Sequence, residues 1–257
     1  MPTPLRQLYR AIGKNVAQDK KTCNDLIAGL KRSTGSSLVS MFVDSLQMSA
    51  PFDGCKQPFL NEASLKKRKA IGPGSRGDNR IVYLLSAADS VHVEGGPKGY
   101  EFTYVGRQLP PFRQEGLGVP RSGAGGIDYT ARTATRPVLG EIKRTGDKNA
   151  FYAFVQLLTY LSEMATDNQV RRATKFKEFG MKLTFPQPFD LHILLVDPNR
   201  RSATLDLIDK TRELAELFRS KLSRDDSRLL GEILCLEMDS QAFAETETPT
   251  LQCHWTA

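Results

Sequence analysis

The sequence predicts an α/β fold: a mixed β-sheet covered on both faces by helices, with a helical, basic N-terminal appendage. Two observations predict it. From Val138 onward the pattern runs strand, helix, strand, helix, strand, and the run Asp190 to Asp197 (DLHILLVD) is apolar enough to be buried on both faces. Ahead of that, residues 1–80 place apolar residues at helical spacing among an excess of lysine and arginine. The expected division is a basic, mainly helical region over 1–80 and a core over 81–257.

Thr3 caps a first helix with Pro4 at its first position, followed by Leu5, Leu8, Tyr9, Ile12 and Val16. Thr22 to Asp25 resembles a capping box that opens a second helix, and Ser37 to Met48 reads as a third. Ile81–Leu85, Ser90–Glu94 and Tyr100–Gly106 are expected strands. The segment from Gln108 to Gly125, rich in Pro, Gly and Arg, has no periodicity and is expected to border a substrate path. Gly126–Thr130 and Pro137–Lys143 form a hairpin. A helix capped by Asp147 or Asn149 follows, then the Asp190–Asp197 strand, a long helix from Ser202 or Thr204, and a strand over Leu229–Met238. The last residues read as a tail.

The hairpin carries the chemistry. Period two along Pro137–Lys143 sets Glu141 and Lys143 side by side on one face, and the returning strand brings Asp128 opposite Glu141. Two carboxylates this close repel unless a cation lies between them. Hard oxygen donors suit Mg²⁺, with Mn²⁺ able to substitute, and a lysine beside such an ion can hold water or stabilise a phosphorane. On the next helix Tyr152, Gln156, Tyr160 and Glu163 share a stripe, so Gln156 and Tyr160 can lean over the acidic end of the hairpin.

Asp128, twelve residues and then Glu141-Ile142-Lys143 resembles the signature of the PD-(D/E)xK phosphodiesterase superfamily, and Gln156-Leu157-Leu158-Thr159-Tyr160 resembles the QxxxY element of its exonuclease-like branch. The resemblance covers roughly residues 95 to 200. It implies a restriction-endonuclease-like αβββαβ core, Mg²⁺ held by Asp128, Glu141 and the Ile142 carbonyl, and Lys143 near the nucleophilic water. Ile127 stands where many members have proline. An upstream acid or histidine found in many members has Glu62, Glu94, Glu101 and His92 as candidates here.

The net charge of +7 is uneven: the first 82 residues hold 14 Lys/Arg against 6 Asp/Glu, and residues 183–257 hold 8 against 13. That asymmetry suits a polyanion approaching from one side. The expected phosphate contacts are Lys66, Lys67, Arg68, Lys69, Arg76, Arg107, Arg113, Arg121, Arg144, Lys148, Arg171 and Arg172. The glycines of Gly72 to Gly77 lack the Gly-Lys-Ser/Thr ending of a nucleotide-binding P-loop. Four cysteines without a Cys-x-x-Cys pair exclude a zinc signature, and three scattered histidines argue against histidine-based hydrolysis. No apolar run is long enough to span a bilayer and no signal peptide is visible, so a cytoplasmic protein without a membrane partner is expected, as monomer or homodimer. The functional expectation is a Mg²⁺-dependent nuclease acting on DNA. The rival is a nucleic-acid-binding or assembly module that keeps the fold without turnover.

Overall fold

The computed structural model describes residues 3–13, 15–32, 37–50, 71–109, 126–144, 149–177, 179–197, 202–246 and 249–257. Its strands are β1 (Val91–Glu94), β2 (Glu101–Leu109), β3 (Ile127–Arg132), β4 (Pro137–Lys143), β5 (Phe189–Val196), β6 (Leu230–Met238) and β7 (Thr250–Thr256). Its helices are α1 (Pro4–Ala11), α2 (Val16–Arg32), α3 (Leu38–Ser49), α4 (Asp78–Ala87), α5 (Ala150–Met164), α6 (Asp167–Phe176), α7 (Ser202–Lys221), α8 (Arg224–Ser227) and α9 (Ser240–Glu245).

The strands follow one another around a closed seven-stranded sheet. β1 to β4 pair antiparallel in sequence, β4, β5 and β6 are parallel neighbours, and β7 returns antiparallel beside β6. Closure comes from β7 pairing parallel with β1 over His92↔Thr250, Val93↔Leu251 and Glu94↔Gln252. The open αβββαβ sheet expected from the resemblance is therefore incorrect: the residues read as a tail form β7, which joins the two edges. Only Leu251, Cys253 and Trp255 alternate there with polar residues, a pattern too short to stand out beside a disordered end.

Alternation along β4 serves two separate cores. Val138 and Ile142 join an apolar cluster with Tyr129, Phe102, Leu194, Leu236, Leu251 and the buried face of α4. Leu139 joins the other cluster, which contains α1, α2, α3, α5 and α7. Five helices cannot fit within seven strands, so the first cluster is the inside of the closed sheet and the second its outer face. The N-terminal helices thus share a core with β4 and β5.

Local chemistry explains most element ends. Thr3, Ser37 and Asn149 accept backbone N–H groups of Arg6, Ser40 and Tyr152 at 3.3, 3.2 and 2.9 Å, the caps of α1, α3 and α5. The capping box expected at Thr22–Asp25 does not form. α2 already runs from Val16, and the Thr22 hydroxyl donates to the Gln18 carbonyl four residues back at 3.0 Å, so it bonds within the helix. Ile81–Leu85, expected as a strand, lies in α4. Ile81, Val82, Leu84 and Leu85 are buried, a helical spacing hidden inside a continuous apolar run.

Candidate metal centre

β3 and β4 pair from Arg132↔Pro137 to Tyr129↔Gly140, which leaves Asp128 one residue past the last rung and beside Glu141. Asp128 Oδ2 accepts the Ile142 backbone N–H at 2.9 Å, a side-chain bond that extends the hairpin where the ladder stops. Lys143 Nζ donates to Glu141 Oε1 at 3.0 Å and to Gln156 Oε1 at 3.3 Å. Gln156 Nε2 in turn donates to the Tyr160 hydroxyl at 2.8 Å. The Lys143 ammonium also lies 4.7 Å from the centre of the Tyr152 ring, a cation–π distance.

All four positions of the α5 stripe are therefore engaged. Tyr152 and Gln156 reach Lys143, Tyr160 supports Gln156, and Glu163 accepts from Arg6 Nε and Nη2 at 2.7 and 2.5 Å. α1 lies across the same stripe, since Tyr9 stacks on Tyr152 at 5.2 Å between ring centres. Tyr152 is a site residue that motif reading passed over. Its place in the stripe was the available signal, but only the fold puts an ammonium on its ring.

The electrostatics set this cluster apart from an ordinary surface pair. Glu141 and Lys143 are 2% and 4% exposed, while Asp128 is only partly buried and is the accessible side of the cluster. Burial, opposed by Lys143, lifts the Glu141 carboxyl well above the usual carboxylate range. Burial also lifts Asp128, against the Ile142 N–H and the Lys143 charge. The two carboxyl groups are close enough to share a hydrogen bond when one is protonated. Among the described residues Glu141 Oε2 has no hydrogen-bond donor, although it is buried. A proton or a cation is what such an oxygen lacks.

Among the described residues no three His, Cys, Asp or Glu side chains gather in a metal-ligating group, so an ion here would have two carboxylates from the chain, plus backbone or water oxygens. The Ile142 group that reaches Asp128 is its N–H. Of the upstream acids considered, His92 and Glu101 face each other at 3.6 Å and Glu94 accepts from Gln252 at 2.6 Å, away from this site. Glu62 lies outside the described residues. The upstream acid whose charge does reach Asp128 is Asp78, in the first turn of α4, three residues ahead of the expected Ile81–Leu85 strand and not among the acids the sequence reading considered.

Of the expected phosphate contacts, Lys66, Lys67, Arg68, Lys69, Arg113, Arg121 and Lys148 lie outside the described residues. Arg144 and Arg107 are near the α4 start: Arg144 Nε is 3.9 Å from Asp78, and Arg107 Nη1 donates to Asn79 at 2.6 Å. Arg76 is exposed. Arg171 is exposed but paired with Asp167 at 2.7 Å. Arg172 is fully buried on α6 and presents nothing to a polyanion, which corrects its assignment. Among the described residues no helix is long and apolar enough to cross a membrane.

Compared with known protein families, curated proteins and solved structures, the chain matches none.

Proposed function

We propose that this chain is a divalent-metal-dependent nuclease that hydrolyses phosphodiester bonds, with DNA as substrate. The observation that carries the reading is the convergence of Asp128, Glu141 and Lys143 at one strand end, with the buried Glu141 Oε2 left without a donor. Asp128 and Glu141 would hold Mg²⁺ or Mn²⁺, with the Ile142 carbonyl as a third oxygen. The ion would supply a lowered water pKa and stabilise charge on the phosphoryl oxygens. Lys143, held between Glu141 and Gln156, presents a fixed ammonium to the attacking water or the phosphorane. Gln156 and Tyr160 orient that ammonium and do not themselves touch the reacting atoms. Arg144, Arg107 and Arg76 supply positive charge around the strand end. The motif likeness to PD-(D/E)xK phosphodiesterases supports the same chemistry.

The burial of Glu141 and Lys143 favours a second reading, in which the cluster binds an ion or nucleic acid without turnover. One experiment separates the two. Linear and circular, single- and double-stranded DNA are incubated with the protein and Mg²⁺, Ca²⁺ or chelator. Cleavage with Mg²⁺, binding without cleavage in Ca²⁺, and loss of cleavage in folded Asp128→Asn and Glu141→Gln are expected. Full activity in either variant, or equal cutting in chelator, refutes the nuclease reading. DNA binding with no cleavage under any ion selects the silent module.

A further inference from the structure

The β3–β4 ladder ends at Tyr129↔Gly140, while β2 stays paired with β3 at Tyr129 and Ile127 on either side of Asp128, so on the β4 side the direction of Asp128 depends on how firmly Tyr129 is held. Tyr129 is fully buried inside the closed sheet. Its ring lies against Gly140 so closely that a Cβ added there would meet ring atoms at 2.1 and 2.2 Å. Its hydroxyl is 3.1 Å from His192 Nδ1 on β5. The other ring nitrogen, Nε2, is 2.8 Å from the Tyr100 hydroxyl, which donates to Asp190 Oδ2, also at 2.8 Å. Asp190 Oδ1 accepts the Glu232 N–H at 2.7 Å and faces Arg136 Nε at 3.1 Å.

Proton counting fixes the direction of this chain. Tyr100 has one hydrogen, spent on Asp190, so His192 Nε2–H must donate to the Tyr100 oxygen. In a neutral ring Nδ1 is then the acceptor for the Tyr129 hydroxyl. Burial, which brings the His192 pKa down to about 3, keeps the ring neutral. A buried network of this kind can serve only to fix a sheet's register. This one ends on the residue next to the carboxylate proposed to bind the metal, at the last rung between β3 and β4.

We propose that His192 is a positioning residue for Asp128, acting through the Tyr129 hydroxyl so that the Asp128 carboxylate meets Glu141 around the cation. The proposal rests on the metal-site reading above. It assigns a role to a histidine whose alternation with apolar neighbours marks it only as a core or edge residue.

The test is Mn²⁺ affinity of the full chain, read from the electron paramagnetic resonance signal of free Mn²⁺, alongside thermal unfolding of each protein. Tyr129→Phe keeps the ring against Gly140 and removes the hydroxyl. His192→Leu removes the acceptor, whereas His192→Asn sets an amide oxygen near the place of Nδ1 and can still receive the hydroxyl hydrogen. Tyr129→Phe and His192→Leu are expected to bind Mn²⁺ about tenfold more weakly, the usual size of an outer-shell loss, with His192→Asn close to wild type. A purely structural role lowers melting temperatures but leaves the affinity of the folded variants unchanged, and that result overturns the proposal. Should the His192 variants not fold, unchanged affinity in Tyr129→Phe alone overturns it. A wild-type protein that binds no Mn²⁺ removes the metal-site reading itself.

Discussion

Replacing Glu141 by Gln should stabilise the metal-free protein. With both carboxyls ionised, Asp128, Glu141 and Lys143 leave a net charge of −1 in a pocket where Glu141 and Lys143 are 2% and 4% exposed. Gln keeps an oxygen for Lys143 Nζ, adds an N–H₂ that can donate to Asp128, and makes the pocket neutral. Removing one uncompensated buried charge is worth about 1 to 2 kcal/mol, which in a chain of this size is roughly 3 to 6 °C in melting temperature. The pH dependence has a definite sign. Both carboxyls have raised pKa values in the folded state, so the folded protein binds more protons than the unfolded chain. Wild-type stability in chelator therefore contains a component that falls as pH rises from the ordinary carboxylate range, about 4, through the raised values. Glu141→Gln lacks its share, so its advantage grows with pH across that window and levels off above it. Saturating Mn²⁺ should reverse the order, because the wild type gains about 2.7 kcal/mol at an ion concentration of roughly 100 Kd. Calorimetric melting at pH 5 and 8, with chelator and with Mn²⁺, measures all four values. A Glu141→Gln protein less stable than wild type in chelator at pH 8 would make Glu141 a structural acceptor for Lys143, and the argument fails.

Lys143→Met changes the same pocket to −2 and should cost about 3 kcal/mol in chelator at pH 8, with part recovered on acidification; a melting temperature equal to wild type contradicts the charge count. Gly140→Ala drives a methyl into the Tyr129 ring, whose atoms would lie 2.1 to 2.6 Å from the added Cβ, and should cost about 1 to 3 kcal/mol in urea unfolding together with weaker Mn²⁺ binding. An unaffected protein would mean that β3 can move away freely. Arg6→Ala strands Glu163, which is 3% exposed, and should cost about 3 to 5 kcal/mol, against the fraction of a kcal/mol typical of surface pairs. Urea midpoints separate those two ranges.

The arrangement of the candidate site was legible where its geometry is local. A two-residue period on β4, a hairpin that returns Asp128 to Glu141, and a four-residue period on α5 are all set by backbone geometry over short spans, and each is seen in the fold. Contacts between distant segments were not legible. Tyr100 just ahead of β2, Tyr129 on β3, and Asp190 and His192 on β5 come from three separate parts of the chain, and no spacing announces that their polar groups meet. The same holds for Tyr9 on Tyr152 and for Arg6 on Glu163, which tie α1 to the stripe beside the cluster. Charge runs misled in a different way. Arg171 and Arg172 are adjacent in sequence, yet on a helix they point to different sides, one to solvent and one into the core.

Closure of the sheet and chemistry of the cluster are separate matters, which explains how a motif can be present in an arrangement that it does not itself imply. Every group in the cluster comes from β3, β4 and α5, and the helix leads on toward β5, parallel to β4. Those elements fix the carboxylates, the ammonium and the amide whatever lies at the far edges. Parallel strands collect ligands outside their carboxyl ends, and Glu141 and Lys143 stand at the carboxyl end of β4, beside β5 with β6 beyond it. β7 meets β1 on the opposite side of the strand order, three strands from β4 in either direction. The barrel seam therefore removes two exposed edges, while the candidate cluster is built by a hairpin and one helix away from it.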